Sequence, residues 1–407
     1  MRIPDVLQTL RPLIAGVYLP AFLMFFGVGM LTPTLPLFAA ELGVNYTLVT
    51  LAVAVTGLGT LLWNVPAGLL QARWSEHRAA IVGVLAIAAA TMAMGFTRDY
   101  TLVVVFRALA GIGMATWTIS RMSHLVAAVP QHHRGRAMSL FGGIMRISLF
   151  PSPAVGGALA ELVSYEACFL VAGLITVVGV LPMLLMRQRV ERPLGSVPAR
   201  HVAPASLWAV LRDHWRDLAT AGTGHVLASA ARAGRQVIIP IYGAFVLGLD
   251  AAEIGVVVSA SSAIDMTLFP IAGYVMDRFG RKFTNAPSMV MLGASMAVLP
   301  LAQDFVGLIV VGLFAGVANG WGSGAMLTLG SDLAPRESPG PFLGVWQFMG
   351  NTGMTGGPLI VGVVADAAGP DATPFYLAAA GFASGLIFLL LVRETHRVRG
   401  QPATASA

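Results

Sequence analysis

The chain has 407 residues, of which 56% are hydrophobic and only 11% are charged, and its formal net charge is +6. Soluble globular proteins carry about 25% charged residues, so this composition excludes an ordinary soluble domain. The apolar residues come in blocks of about 20, the length that a helix needs to cross roughly 30 Å of hydrocarbon. The one cysteine, Cys168, excludes an intrachain disulfide. The sequence therefore predicts an all-α membrane protein.

Twelve apolar segments predict twelve transmembrane helices, and the first is too long for a cleavable signal peptide. In chain order, the expected helices cover about 13–38, 47–71, 79–97, 101–124, 137–160, 167–186, 218–246, 254–276, 284–302, 305–330, 343–365 and 374–392. The longest spacer, 187–217, is rich in Arg, Pro and Ala. It divides the chain into a six-helix bundle at 1–186, a second bundle at 218–393 and a tail at 394–407.

Basic residues are concentrated in every second spacer, while the alternate spacers carry only Arg98. The positive-inside rule therefore places both termini in the cytoplasm, and an even number of helices requires both termini on one side. Because the positive charge follows the membrane surface in this way, nucleic acid is not an expected partner. The expected location is the plasma (inner) membrane.

The two halves of the chain are predicted to be repeats of one another. When the sequence is shifted by 205 residues, Gly68 falls on Gly273 and Pro153 falls on Pro358. A constant register across five helices indicates an internal duplication. Parallel six-helix repeats recur in transporters, with the substrate site between them near the middle of the membrane.

The loop between predicted helices 8 and 9 reads Gly-Tyr-Val-Met-Asp-Arg-Phe-Gly-Arg-Lys. It is a full match to the signature loop of the major facilitator superfamily, which the chain resembles over essentially its whole length. The matching positions are Gly273, Asp277, Arg278, Gly280, Arg281 and Lys282. The resemblance implies the major facilitator fold, in which two six-helix pseudo-repeats provide alternating access.

Three further segments resemble the drug:proton antiporter branch of this superfamily. Helix 4 carries the second signature at 107–113, and helix 1 ends in Pro-Thr-Leu-Pro at 33–36. Helix 5 resembles the antiporter signature over 148–157, with serine at its first two glycine positions. These matches imply a twelve-helix exporter driven by protons.

The signature loop is degenerate in the first half, where Ala72 takes the place of Asp277. By resemblance, the aspartate holds the cytoplasmic gate shut by facing a helix N-terminus, which favours a carboxylate. Gly68 and Arg73 complete the expected gate in the first half, so the gate should be held asymmetrically. The alternative is that the loop only fixes the topology.

Five ionisable side chains are predicted at bilayer depth, where such groups are costly and usually face a cavity. They are Arg107, Arg146, Arg232, Arg235 and Asp265. Asp265 is the expected proton carrier, at a depth similar to that of Arg232, and the alternative is a static ion pair. Arg107 resembles the helix-4 arginine implicated in proton coupling, and the alternative is a structural donor to a neighbouring helix.

Four arginines and one aspartate predict a positive cavity, which favours an anionic or zwitterionic substrate because guanidinium groups suit carboxylate and phosphate. Arg146, Arg232 and Arg235 are expected on its wall. Aromatic and amide side chains are further candidates, with helix packing as the alternative. They are Trp63, Asn64, Trp117, Asn319, Trp321, Trp346, Gln347 and Asn351. The expected helix hinges are Pro153, Gly156, Gly157 and Pro358.

These features favour a secondary transporter that exports a small organic molecule by proton antiport. The proton gradient would supply the energy, with no cofactor and no metal, and a monomer is expected. A proton symporter for an organic anion, a lipid translocator and a non-transporting receptor remain open, because the sequence does not fix direction. An enzyme is disfavoured because the one deep carboxylate lacks a catalytic partner.

Overall fold

The computed structural model describes residues 14–71, 74–129, 134–185, 211–335 and 339–395. In these ranges every regular element is helical, and the helices form twelve crossings, which we label α1 to α12. Eight of the described helices are long and apolar enough to span a membrane by themselves. The predicted all-α membrane fold is confirmed. Arg73 and most of the basic spacer lie outside the described residues.

In the first half, α1 is Leu19–Glu41, preceded by a π-helical turn at Ile14–Tyr18, and α2 is Tyr46–Gln71. They are followed by α3 (Glu76–Met94) and α4 (Tyr100–Ala128). The crossing α5 consists of Arg134–Leu149 and Ser152–Leu162, and α6 consists of Tyr165–Val178 and Leu181–Leu185.

In the second half, short turns at Trp215–Asp217 and Leu218–Gly222 lead into α7 (Thr223–Phe245). They are followed by α8 (Ala251–Phe279) and by α9 (Lys282–Val298), which ends in a 3-10 turn at Leu299–Leu301. The crossing α10 consists of Phe305–Trp321 and Ala325–Leu333. The last two are α11 (Pro339–Ala368) and α12 (Thr373–Leu386, continued by Ile387–Leu391).

Two crossings that the sequence predicts as continuous are interrupted, and each has a local cause. In α5, Pro151 caps the second helix and Pro153 lies in its first turn, where the missing N–H is tolerated. In α10, Gly324 has a φ of +78°, which glycine adopts without a steric penalty. The crossing α11, in contrast, runs through Pro358 without a break.

The two halves pack by the same scheme, as expected of a duplicated chain. In the first half α3 packs against α4 and α6, and in the second half α9 packs against α10 and α12. Likewise, α1 packs against α5 and α7 packs against α11. The halves meet mainly through α2 with α11 and α5 with α8. The predicted pair of six-helix repeats is confirmed.

Carboxylates tie the halves together at one end of the bundle, which we call the closed end. Asp366 of α11 accepts hydrogen bonds from the N–H groups of Tyr46 and Thr47, at 2.9 Å each. Glu161 of α5 accepts one from the N–H of Ala251 at 3.3 Å. Each carboxylate therefore caps a helix of the opposite half, where free N–H groups and the helix dipole favour negative charge.

The two caps obey the 205-residue repeat, since Glu161 falls on Asp366 and the N-terminus of α2 falls on that of α8. Gly157 and Gly362 show the same relation one turn away. A Cβ at Gly157 would collide with the Ala251 carbonyl, and one at Gly362 would lie 2.7 Å from the Tyr46 carbonyl. Only glycine allows the helices to come this close.

At the opposite end, which we call the open end, α2 and α11 diverge. Their contact reaches Gly57, where a Cβ would lie 2.7 Å from Thr355 Oγ1. Beyond it, Leu62, Val65 and Leu69 are 76%, 72% and 69% exposed. Gly68 lies on the same face of α2 as Gly57, three turns further on, and a Cβ there would meet nothing within 4 Å. The conformation is therefore closed at one end and open at the other.

The caps predict a variant that weakens the closed end. Asp366→Ala removes the acceptor for two N–H groups, and loss of a helix cap costs about 0.5–2 kcal/mol. We expect the population that is open at this end to rise by about two- to thirtyfold. Distances between spin labels in the α1–α2 and α7–α8 loops would measure this change, in a Cys168→Ser background.

The matched control is Asp371→Ala, which removes an exposed carboxylate a few residues further along the same end of the bundle. If both variants gave the same distance distribution, the cap would not hold the closed end.

Candidate functional site

A polar contact joins the halves near the middle of the bundle. The carboxylate of Asp265, on α8, lies 3.7 Å from the guanidinium group of Arg146, on α5, and their side chains are 16% and 19% exposed. The same guanidinium group lies over the ring of Phe269, 4.6 Å from its centre, a favourable cation–π geometry. The ion pair therefore spans the two halves, and Arg146 rather than Arg232 is the partner of Asp265.

Ser323 connects these two charges. Its Oγ accepts a hydrogen bond from Arg146 Nη2 at 3.0 Å and lies 3.1 Å from Asp265 Oδ1, to which it can donate. Asn319 Nδ2 donates to the other carboxylate oxygen at 3.0 Å. Ser323 lies in the break of α10, so the interruption of that helix places its hydroxyl between the halves. No pattern in the sequence singles out this serine, which stands between Gly322 and Gly324.

Two arginines of α7 lie near this contact. Arg232 Nη2 donates to the carbonyl of Gly322 at 3.3 Å, and Arg235 Nη1 donates to Ser261 Oγ at 3.1 Å. The Nε atoms of both arginines are buried and have no hydrogen-bond partner within the described ranges. Arg232 therefore holds the break of α10 beside Ser323, while Arg235 retains unused hydrogen-bonding capacity.

The charges in this region do not cancel. Arg146, Arg232 and Arg235 carry three positive charges, and Asp265 is the one carboxylate within ion-pair distance of any of them in the described part of the chain. Burying uncompensated charge is expensive, and an anionic group would lower that cost. Positive charge is therefore in excess between the halves, while a positively charged substrate cavity stays a prediction.

Arg107 lies apart from this group. Its Nε donates to the carbonyl of Ala52 on α2 at 3.4 Å, and Thr56 Oγ1 donates to the Arg107 carbonyl at 3.2 Å. Both contacts join α4 to α2, which agrees with the structural alternative. A role of Arg107 in proton coupling stays a prediction.

A further buried arginine escaped the sequence interpretation. Arg121, near the open end of α4, is 1% exposed and donates to the carbonyl of Gly16 at 3.0 Å. One turn away, His124 lies 3.7 Å from the carboxylate of Glu76. The sequence interpretation ended helix 4 at about residue 124, which placed Arg121 and His124 in its last turn, at the membrane surface.

Two tryptophans expected on the cavity wall lie in the cores of the halves instead. Trp117 is fully buried, with its ring centre 5.4 Å from that of Phe25 and 5.8 Å from that of Phe141. Trp346 is 2% exposed and stacks on His225 at 4.5 Å. Their indole rings therefore pack among aromatic partners and cannot reach a ligand in the cavity.

Of the other aromatic and amide candidates, the two tryptophans connect neighbouring helices and three amides are at least partly exposed. Trp63 Nε1 donates to Thr116 Oγ1 at 3.2 Å, which joins α2 to α4. Trp321 Nε1 donates to the carbonyl of Phe283 at 3.0 Å, which joins α10 to α9. Three amides are at least partly exposed on the open-end parts of their helices: Asn64, Gln347 and Asn351.

The expected hinge residues lie at close contacts between helices. Pro153 follows the interruption of α5, and a Cβ at Gly156 would collide with the Met30 carbonyl of α1. Gly157 contacts α8 and Pro358 lies in an unbroken helix. Whether these positions bend during transport stays a prediction.

The signature loop is ordered by carboxylates other than Asp277. Arg281 Nε donates to Asp332 at 2.7 Å, whereas Asp277 is 79% exposed and lies 3.9 Å from Arg281. Glu394, just after α12, accepts hydrogen bonds from the N–H groups of Arg281 and Lys282 at 2.9 and 3.0 Å. Glu394 therefore caps α9, a role that the sequence interpretation missed.

The remaining described loop residues contact their own half or lie in open space. Gly280 has a φ of +107°, and a Cβ there would lie 2.6 Å from Glu394, so both backbone and space require glycine. Arg278 donates to the hydroxyl of Tyr274 at 2.9 Å. A Cβ at Gly68 or Gly273 would meet nothing within 4 Å.

Comparisons with known proteins agree with this architecture. The family model described as Major Facilitator Superfamily matches residues 17–230 and 223–407. The quinolone resistance protein NorA of Staphylococcus aureus (strain COL) is 21% identical over 389 residues, 94% of this chain and 96% of that protein. The synaptic vesicular amine transporter of Bos taurus is 24% identical over 271 residues, 66% of this chain and 51% of that protein.

Solved structures show the same fold. A bacterial homologue of the human lysosomal transporter Spinster, in an inward-facing and unoccupied conformation, has a TM-score of 0.73 at 14% identity, covering 96% of each chain. A POT family transporter in complex with a thioalcohol-conjugated peptide has a TM-score of 0.73 at 12% identity, covering 93% of this chain and 96% of that chain. At these identities the likeness is one of fold alone.

The contact between the halves predicts a measurable coupling. In a double-mutant cycle with Arg146→Gln and Asp265→Asn, we expect an interaction energy of about 1–3 kcal/mol, because the groups are half-buried and share Ser323. The exposed pair Arg98 and Glu166 is the matched comparison and should couple by less than about 1 kcal/mol. Reversible unfolding in mixed micelles would measure both. Equal coupling in the two pairs would count against a special contact at the centre.

The exposed position of Asp277 predicts the effect of removing its charge. Asp277→Asn costs little in this conformation, but it removes about 0.3–1 kcal/mol from any state in which the carboxylate faces a helix N-terminus. We expect the open end to be more accessible, with a labelling rate at Leu62→Cys about two- to fivefold higher in a Cys168→Ser background. Asp213→Asn, which alters another exposed carboxylate at this end, is the control. An unchanged rate in Asp277→Asn would contradict the gating role.

Proposed function

The chain belongs to the Major Facilitator Superfamily, and we propose that it is a secondary active transporter that exports a small organic molecule in exchange for protons. The observation that carries this proposal is the contact of Arg146, Ser323 and Asp265 between the halves. A carboxylate at this place can change its charge and its partner while the halves move.

The chemistry of Asp265 supports exchange in a simple way. A carboxylate can bind a proton or a cationic group of a substrate, but it cannot hold both at once. In the conformation described here, Arg146 takes the place of such a cation. Either a proton or the substrate would release Asp265 from Arg146, so each can loosen the same contact between the halves. Competition for one carboxylate makes the two fluxes run in opposite directions.

The orientation in the membrane follows from charge. We propose that the open end faces the cytoplasm, because described basic residues such as Arg78, Arg278 and Arg281 lie at that end, and that both termini are cytoplasmic. The protein would then act as a monomer in the plasma (inner) membrane, with the proton gradient as its source of energy. The conformation described here would be the one that receives cargo from the cytoplasm.

The names of the relatives favour export of a small organic molecule. NorA is named for quinolone resistance, and the bovine relative for the transport of amines in synaptic vesicles. The name of the bovine relative fits a cargo with a basic nitrogen, which would compete with protons for Asp265. At identities of 21% and 24%, we infer only this general class of cargo and no particular substrate.

A second candidate function is proton symport of an organic anion. It is favoured by the excess of arginine, because an anion that occupied Arg146 would leave Asp265 free to take up a proton. Binding of the anion and of the proton would then support each other. The two candidates differ in the sign of coupling, so one measurement separates them.

The test uses everted vesicles in which respiration creates a proton gradient that quenches a dye. For antiport, addition of an amine-bearing substrate such as norfloxacin should release the quenching, and Asp265→Asn should lose the response by at least about tenfold. Asp265→Glu should restore part of it, and Asp371→Asn should leave it unchanged. An unchanged response in Asp265→Asn would remove Asp265 from the coupling path. Uptake of benzoate together with protons into right-side-out vesicles would favour the symporter.

A further inference from the structure

A small cavity lies between the halves beside Arg235. Its volume is about 70 Å³, which leaves room for several water molecules or for a carboxylate group with a few of the atoms that carry it. Thr32, Leu149 and Pro153 line it from α1 and α5 of the first half. Helices α7 and α8 of the second half supply the rest of the wall. A ligand here would therefore contact both halves.

The polar groups on the second-half wall are suited to an anion. Arg235, Gln236, Ser261 and Ser262 line the cavity, and no acidic residue is among the described residues around it. Ser261 accepts a hydrogen bond from Arg235 through Oγ, so its own O–H remains available to donate. Gln236 is exposed, and its amide N–H groups provide further donors.

Arg235 is the observation that points to a ligand. Its side chain lines the cavity and is more than nine-tenths buried, since the residue is 8% exposed, yet within the described ranges its guanidinium group makes one hydrogen bond, to Ser261. A buried guanidinium group with unused donors, and with no carboxylate within ion-pair distance among the described residues, is unfavourable. A carboxylate or similar anion in the cavity would supply both the missing acceptor and the missing charge.

The cavity and Asp265 are separate places on one helix face. Ser261 and Asp265 are four residues apart on α8, so they lie on the same face with a rise of about 6 Å between them. One subsite is rich in donors and carries positive charge, while the other offers a carboxylate. A molecule that bears an anionic and a basic group about one helical turn apart would satisfy both.

We propose that the cavity lined by Arg235, Ser261 and Gln236 binds the carboxylate of a zwitterionic substrate, whose basic group approaches Asp265. The anion subsite can exist by itself, whereas its assignment to a transported molecule rests on the proposed function. The arrangement gives the two ends of the substrate different tasks. The carboxylate provides affinity through Arg235, and the basic group competes with the proton.

The test measures the local charge of the cavity with a cysteine placed in its wall. Ser262→Cys is suitable because Ser262 Oγ donates to the Val258 carbonyl of its own helix, so the other donors stay in place. In a Cys168→Ser background, an anionic methanethiosulfonate reagent should react faster than a cationic reagent of similar size. Arg235→Gln should lower this ratio of rates by about tenfold or more, since one nearby positive charge is lost.

Two controls keep the test sharp. Arg235→Lys retains the charge and should retain most of the ratio, which shows that the loss in Arg235→Gln is electrostatic and not a failure to fold. Arg107→Gln removes a membrane arginine outside the cavity and should leave the ratio unchanged. A ratio that is insensitive to Arg235→Gln, or a cysteine that no reagent reaches from the open end, would overturn the proposal.

The ligand class is tested by protection of the same cysteine. Benzoate should slow its labelling at least about fivefold, whereas benzamide, which has the same shape and no charge, should not. Protection by phosphate but not by benzoate would overturn the assignment to an organic carboxylate. Charge-selective labelling without any proton exchange would contradict the proposed function but support the anion subsite. Proton exchange without charge-selective labelling would contradict the anion subsite but support the proposed function.

Discussion

The structure depends on how the first N–H groups of certain helices find hydrogen-bond acceptors. The first N–H groups of any helix have no acceptor within that helix, and in a membrane little water is present to accept their hydrogen bonds. Here the opposite half provides the partner, through Asp366 at the start of α2 and Glu161 at the start of α8. Because the two caps follow the internal repeat, the closed end is held symmetrically about the axis between the halves. The helices then diverge toward the other end, and the central charges lie between the halves where this divergence begins.

The repeat provides the scaffold, and departures from it provide the chemistry. The caps and the close glycine contacts recur in both halves, but the central charges do not. At the same offset, Asp265 corresponds to Thr60, Arg146 to Asn351 and Arg235 to Met30. At the open end the sign of the charge is reversed, since Glu76 occupies the position that corresponds to Arg281. A duplicated backbone therefore carries an unduplicated set of charges, in agreement with the view that function belongs to sites placed on a fold.

The sequence predicted what depends on local pattern and missed what depends on tertiary partners. Segment length and apolarity were enough for the helices, and intramembrane charge was enough to single out Asp265 and the arginines beside it. Residue type alone could not show that Asp265 would face Arg146 across the halves, because that depends on how α5 meets α8. Ser323 was missed since a serine between glycines carries no signal until the break of α10 is seen. Residue type did not show that Trp117 and Trp346 pack in the cores of the halves, because an aromatic residue in mid-helix serves packing as readily as binding.

The sign of proton coupling follows from which charge the substrate brings to Asp265. A purely anionic molecule would draw Arg146 away and make protonation of Asp265 easier, so that proton and substrate would bind together. A basic group would instead compete with the proton and require exchange. The excess of arginine favours binding of an anion together with a proton, whereas the single central carboxylate favours exchange of a cation for a proton. A zwitterion satisfies both conditions, because each of its charges binds at a different subsite. The separation of Arg235 from the Arg146–Asp265 contact makes such a division possible, because one helical turn keeps the substrate's carboxylate away from Arg146. Asp265 then remains the group for which a proton and the basic end of the substrate compete.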